Sequence, residues 1–106
     1  MVSENQMSGA WVYILRCSDG SYYTGLTKQE EPEAREWEHN EGTYEDSYTS
    51  TRRPVRLVYA ENFELVVDAI AAERRIKGWS RRKKEALMAG DWQKLVVLSK
   101  RRGGKP

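Results

Sequence analysis

The sequence predicts an α+β domain in the order β-β-α-β-α-α, with a weaker helix at its C-terminal end. Three observations carry this reading: β-forming runs at residues 11–17, 22–26 and 55–60, a Ser18-Asp19-Gly20-Ser21 turn joining the first two, and a helical apolar period over residues 64–77. At 106 residues and 12.3 kDa there is room for one modest core. The expected division is an N-terminal tail at 1–10, a single domain at 11–99 and a basic, Gly-rich tail at 100–106.

Each element follows from its local chemistry. The hairpin has apolar strands around polar turn residues. A helix is expected from Pro32 to about Asn40, because proline suits a first helical turn, carboxylates favour the positive end and Gly42 follows the close. Pro54 then leads into the third strand, at whose start a proline is tolerated. Over 64–77, at about 100° per residue, Leu65, Val66, Ala69, Ile70, Ala72 and Ile76 gather on one side. Ser80 is an N-cap for a helix through Met88, which Gly90 ends. The last segment, with Trp92 and Leu95, reads as helix or, over 95–98, as strand.

Composition excludes several classes. Hydrophobic residues are 39%, mean hydropathy is -0.82, and no apolar run approaches the roughly 18 residues of a membrane span, so a cytoplasmic protein with no membrane partner is expected. A single Cys17 forms no internal disulfide, and with His39 as the single histidine there is no four-ligand Cys/His zinc site. Any metal is therefore expected on oxygen.

Net charge is +2, but residues 1–67 hold 12 acidic and 6 basic side chains while residues 68–106 hold 4 and 12. The basic half suggests a polyanionic partner, with a solvated helix face as the bland reading. Eight carboxylates between Glu30 and Asp46 against Arg35 alone work the other way. Glu73 projects from the middle of the apolar stripe, where a carboxylate needs a cation or hydrogen-bond donors. Either a metal or a buried arginine would serve.

Taken in order, Trp11-Val12-Tyr13, Tyr23-Thr24-Gly25, Arg35 with His39-Asn40, Arg53-Pro54, and Glu73 with Ile76-Lys77-Gly78-Trp79-Ser80-Arg81 and Lys84 resemble the GIY-YIG endonuclease superfamily, in its small stand-alone bacterial branch. The likeness runs from about Trp11 to Ala89. It implies a three-stranded antiparallel sheet flanked by helices and phosphodiester cleavage with one divalent ion, Mg2+ or Mn2+. Glu73 matches the metal-binding glutamate, Arg35 the helix arginine, Tyr13 and Tyr23 the motif tyrosines, and His39 a position often histidine or tyrosine. Trp11, Thr24, Ala34, Glu36 and Ala72 depart from the branch, the first two standing for glycine and isoleucine.

The residues themselves allow the same chemistry. Magnesium accepts one or two protein carboxylates and keeps its waters, so Glu73 can anchor one ion. Arg35 offers forked donors to phosphate oxygens. Tyr13 or Tyr23 accepts a proton from water only where metal or arginine stabilises phenolate, and His39 is an alternative base or relay. Read singly, the tyrosines are packing residues and Arg35 pairs with Glu31 or Glu38.

The function expected is low-specificity DNA cleavage, directed by DNA structure in repair or recombination or by a targeting protein. Arg74, Lys77, Arg81, Arg82 and Lys84 would hold the backbone. RNA as substrate and the oligomeric state stay open. The alternatives are a noncatalytic nucleic-acid-binding or adaptor module, and a protein-interaction domain using Trp37, Trp79 and Trp92.

One geometric expectation is sharp. An even loop centred on Asp19-Gly20 puts Tyr13 and Tyr23 on opposite faces of the hairpin, so a shared site demands an odd loop or a bulge between Cys17 and Tyr23.

Overall fold

The structure, a computed structural model, describes residues 9–28, 31–45 and 47–103. Its order is β1 (Ala10–Arg16), β2 (Tyr22–Thr27), α1 (Pro32–Glu41), β3 (Arg56–Phe63), α2 (Val66–Lys77), α3 (Arg81–Ala89) and α4 (Trp92–Gly103). The strands form one antiparallel sheet in the order β2-β1-β3. This is the expected α+β arrangement. Of the tails expected at 1–10 and 100–106, residues 1–8 and 104–106 lie outside the described residues.

The hairpin turns through an odd loop. Arg16 pairs with Tyr22, the Cys17 amide donates to Ser21 O at 2.8 Å, and three residues, Ser18, Asp19 and Gly20, make the turn. Gly20 takes φ 86°, the left-handed position that such a loop requires. Asp19 braces it by accepting from the Ser21 amide at 3.0 Å and from Arg52 Nε at 3.0 Å. The odd count brings Tyr23 opposite Leu15 and leaves it on the same face as Tyr13. A second irregularity, between Ile14 and Leu15 on the β3 side, leaves Val58 as the extra residue.

The two sheet faces are covered differently. Ala10, Val12 and Ile14 pack against Ala69 and Ile76 of α2 and Leu87 of α3. Tyr13, Leu15 and Cys17 form the other core with Val55, joined by Tyr23 and Leu57. α1 lies along β3 through two side chains that replace a neighbouring strand. Glu36 accepts from the Leu57 amide at 2.7 Å, while Asn40 accepts from the Val55 amide at 2.7 Å and donates to its carbonyl at 3.0 Å. The acidity of α1 is thus partly spent inside the fold, satisfying edge donors that burial would otherwise orphan.

Some boundaries differ from expectation. β3 runs three residues past Ala60, and Leu65 is not in α2 but caps it, 45% exposed. Ser80 caps α3 as expected, accepting from the Lys83 amide at 3.2 Å. Residues 95–98 are helix rather than strand, and α4 runs to Gly103. Trp79 packs on the core, whereas Trp37 and Trp92 are 63% and 60% exposed.

Candidate active site

The hairpin register sets two phenols side by side: the Tyr13 and Tyr23 ring centroids are 6.4 Å apart at 47°. Tyr13 is opposite Gly25, and its ring occupies the space a side chain there would fill. α1 adds Arg35 and His39, one turn apart, on the side that meets this face. The His39 ring lies 5.1 Å from that of Tyr23 and is buried. Its Nδ1 shares a 2.5 Å hydrogen bond with Thr49 Oγ1, which is in turn 2.9 Å from Ser47 Oγ. Burial, then the nearby Arg35 cation, pushes His39 below the ordinary imidazole range against the opposing pull of Glu38, so the ring is neutral at pH 7.

Arg35 is held by two groups. Its Nη1 donates to Glu38 Oε1 at 3.1 Å and to the Tyr44 hydroxyl, and that hydroxyl donates to the same Glu38 oxygen at 2.6 Å. The Tyr44 ring lies 4.6 Å from His39, which closes the group. Burial works to lower Arg35, but Tyr44, Glu38 and Tyr13 outweigh it and hold the guanidinium firmly charged. Tyr13 moves the other way from a base. Burial, then the neighbouring Tyr23, pushes its phenol far above the usual range, with Arg35 only partly offsetting this. At neutral pH Tyr13 therefore keeps its proton, which suits a hydrogen-bond donor rather than a base.

The segment after α1 forms the outer wall. Tyr48 stacks on Tyr23 at 6.4 Å and 21°, and the Arg52 guanidinium covers the Tyr48 ring at 3.9 Å. Two surface clefts, one with Asn40, Ser50, Thr51, Arg53 and Pro54 and the other along Arg16, Cys17 and Val55, contain none of the five expected catalytic residues.

Glu73 comes from α2, which packs on the other face of the sheet. It is 15% exposed, and its Oε2 is met at 2.9 Å by Lys77 Nζ, whose side chain is 60% exposed. The cation that meets it is a lysine one turn on, not a buried arginine. The ion pair with Glu73 raises Lys77 above its ordinary value, and the Tyr23 phenol adds to the effect. The rings of Tyr13 and Tyr23 and of Tyr23 and His39 are thus in contact, Arg35 joins the group through Tyr44, which touches both it and His39, and Glu73 is linked to Tyr23 electrostatically through Lys77. Among the described residues no three His, Cys, Asp or Glu side chains cluster as a ready-made metal cage. A half-buried carboxylate that already holds a cation on its oxygen does suit one hydrated divalent ion with a single protein ligand.

The basic residues divide. Arg74 and Arg82 are exposed. Arg81 is engaged, with Nη1 donating to Gly20 O at 2.6 Å, Nε 3.0 Å from Glu85 and the guanidinium 4.6 Å over Tyr22. Lys84 is half-buried, and burial lowers its ammonium. Tyr44, Tyr48 and Thr49 escaped the sequence reading. Two tyrosines in an otherwise polar loop were the available signal, but no periodicity says which of them folds back.

A small antiparallel sheet with paired phenols, a helix arginine and a carboxylate on a later helix is the architecture of a GIY-YIG nuclease-type domain. The chain belongs to that family: the family model, described as the GIY-YIG catalytic domain, matches residues 9–86. It is 45% identical over 82 residues to a UPF0213 protein of Staphylococcus aureus (strain Mu3), covering 77% of this chain and 96% of that one. Among solved structures, that of protein EF2693 from E. faecalis is 34% identical, covering 83% and 91% of the two chains with a TM-score of 0.54. The UPF0213 protein BH0048 from Bacillus halodurans is 41% identical over 76% and 83%, with a TM-score of 0.49. Among the described residues no helix is long and apolar enough to cross a membrane.

Proposed function

We propose that this chain is a cytoplasmic endonuclease, a single domain at 11–99, that hydrolyses phosphodiester bonds in DNA with one divalent ion, Mg2+ or Mn2+, on Glu73. The observation that carries the reading is the group of Tyr13, Tyr23 and His39 in ring contact over one sheet face, with Arg35 joined to it through Tyr44. The ion, when bound, supplies Lewis acidity toward the phosphate. Arg35 presents its guanidinium to nonbridging oxygens, where charge grows as water attacks. The water oxygen bonds to phosphorus, the bond to the leaving oxygen breaks, and one proton moves from water to the protein while the leaving oxygen gains another. Tyr13, which holds its proton, donates a hydrogen bond. Neutral His39 beside Tyr23 provides the proton acceptor for that side.

Arg74 and Arg82, with Lys77 and Lys84, supply backbone contacts, so specificity is low and direction comes from DNA shape, as in repair or recombination, or from a targeting protein. The test is cleavage of plasmid and branched DNA, with RNA in parallel, in Mg2+ or Mn2+, by wild type, Glu73→Ala and Arg35→Ala. Loss in both variants supports the reading; equal activity in all three identifies a contaminating nuclease. A second reading, a noncatalytic nucleic-acid-binding module, draws on the fact that Arg35 and Glu73 are each already paired within their own helix. It expects salt-sensitive binding without metal-dependent cutting, and no response of binding to Glu73→Gln.

A further inference from the structure

Glu73 and Lys77 are one turn apart on α2, and their exposures are unequal. The carboxylate is 15% exposed, whereas the ammonium is 60% exposed on a long flexible stem. Lys77 Nζ stands 2.9 Å from Glu73 Oε2, and the Tyr23 phenol is within its electrostatic reach. A carboxylate at this depth needs a positive partner at all times, and one lysine supplies it in the resting chain.

We propose that Lys77 is the resident counter-cation of Glu73 and a direct competitor of the divalent ion there, leaving the carboxylate when metal arrives and returning when it goes. This rests on the assignment of Glu73 as metal ligand. The exchange is cheap in one direction, because the lysine partner is mostly in water and the freed ammonium stays there or meets a substrate phosphate. It makes metal affinity in the free protein low. It also couples metal binding to polyanion binding, since a phosphate near the site gives the displaced ammonium an alternative partner.

The experiment is a Mn2+ titration of the full chain without nucleic acid, read as site-specific line broadening in amide NMR spectra, which also report folding. Wild type is expected to broaden around Glu73 and Tyr23. Glu73→Gln abolishes this, Lys77→Met tightens the apparent affinity by about three- to tenfold, and Lys77→Arg, which keeps the charge, restores the wild-type value. Broadening unchanged in Glu73→Gln, or absent from every variant, overturns the metal assignment and this inference with it. Broadening lost in Glu73→Gln but no tighter in Lys77→Met overturns the role of Lys77 alone and leaves the metal assignment standing.

Discussion

The Tyr13 ring lies against the backbone of Gly25 so closely that a Cβ on Gly25 would sit 2.5 Å from both Cζ and Oη of the tyrosine. Tyr13 is 3% exposed in a packed core, so the ring has little room to retreat. Gly25→Ala is therefore expected to destabilise the fold by about 1–3 kcal/mol through overpacking and to displace the phenol. Urea unfolding measures the first effect, and the Tyr13–Tyr23 ring contacts in NMR measure the second. Unchanged stability with the rings in place would show that the strand yields instead.

Arg35 receives its strictest test from a change that keeps the charge. Lysine has no second nitrogen with which to meet phosphate oxygens while the first stays on Glu38 and Tyr44, where Arg35 Nη1 sits. Cleavage rates for Arg35→Lys and Arg35→Ala are both expected to fall by about 10²–10³, the scale of losing one preorganised donor to a developing oxyanion. A lysine variant as fast as wild type would reduce Arg35 to a bare positive charge.

His39 ties stability to pH. Its folded value lies below the unfolded imidazole's because burial, then Arg35, opposes the charged form. The unfolded chain therefore binds the extra proton first, and the stability tied to neutral His39 is present above the unfolded value of about 6.5 and lost progressively as pH falls from there through the lower folded value. The urea midpoint should drop between about pH 7 and 5. In His39→Gln, which does not titrate, that stretch of the profile should be flatter. Parallel profiles would assign the acid loss to other groups.

How far the sequence discloses this molecule depends on the kind of interaction. Alternation and caps are local, so β1, β2, the Ser80 cap of α3 and the shared face of Tyr13 and Tyr23, given an odd loop, could be read directly from the chain. Arg35 and His39 are legible because four residues on a helix make one face. What is not legible is long-range hydrogen bonding. Nothing near Glu36 or Asn40 says that they will act as a fourth strand for β3, nor does the polar run around Tyr44 and Thr49 say that it will fold onto Arg35 and His39. The partner of Glu73 was open for a different reason: a metal, a buried arginine and the lysine one turn on all satisfy a carboxylate, and i,i+4 spacing alone does not choose between them.

Thr24 stands opposite Ile14, and the cost of its hydroxyl there is testable. It is 3% exposed, and among the described residues its Oγ1 has no hydrogen-bond partner. A buried hydroxyl without a partner costs about 1–3 kcal/mol relative to a satisfied one, and valine has the same shape without the oxygen. Thr24→Val is expected to stabilise by about 1 kcal/mol, seen as a higher urea midpoint at unchanged m-value. A lower midpoint would mean that water reaches the hydroxyl.

The neighbouring arginines of α3 should answer differently. Arg81 is committed to the hairpin turn through Gly20 O, to Glu85 and to the face of Tyr22, so it joins α3 to the β1–β2 loop. Arg82, beside it, is exposed. Arg81→Ala is expected to cost about 1 kcal/mol of stability, because a charge-assisted bond and a cation–π contact go together, the half-exposed ion pair adding little. Arg82→Ala should leave stability within about 0.5 kcal/mol and instead weaken DNA binding uniformly across sequences, lowering the log-log salt slope by about one. Fluorescence anisotropy over a salt series, with urea unfolding on the same samples, separates the two. If Arg81→Ala changed the slope at constant stability while Arg82→Ala did not, the phosphate-facing side of α3 would be the one that now looks occupied by the hairpin.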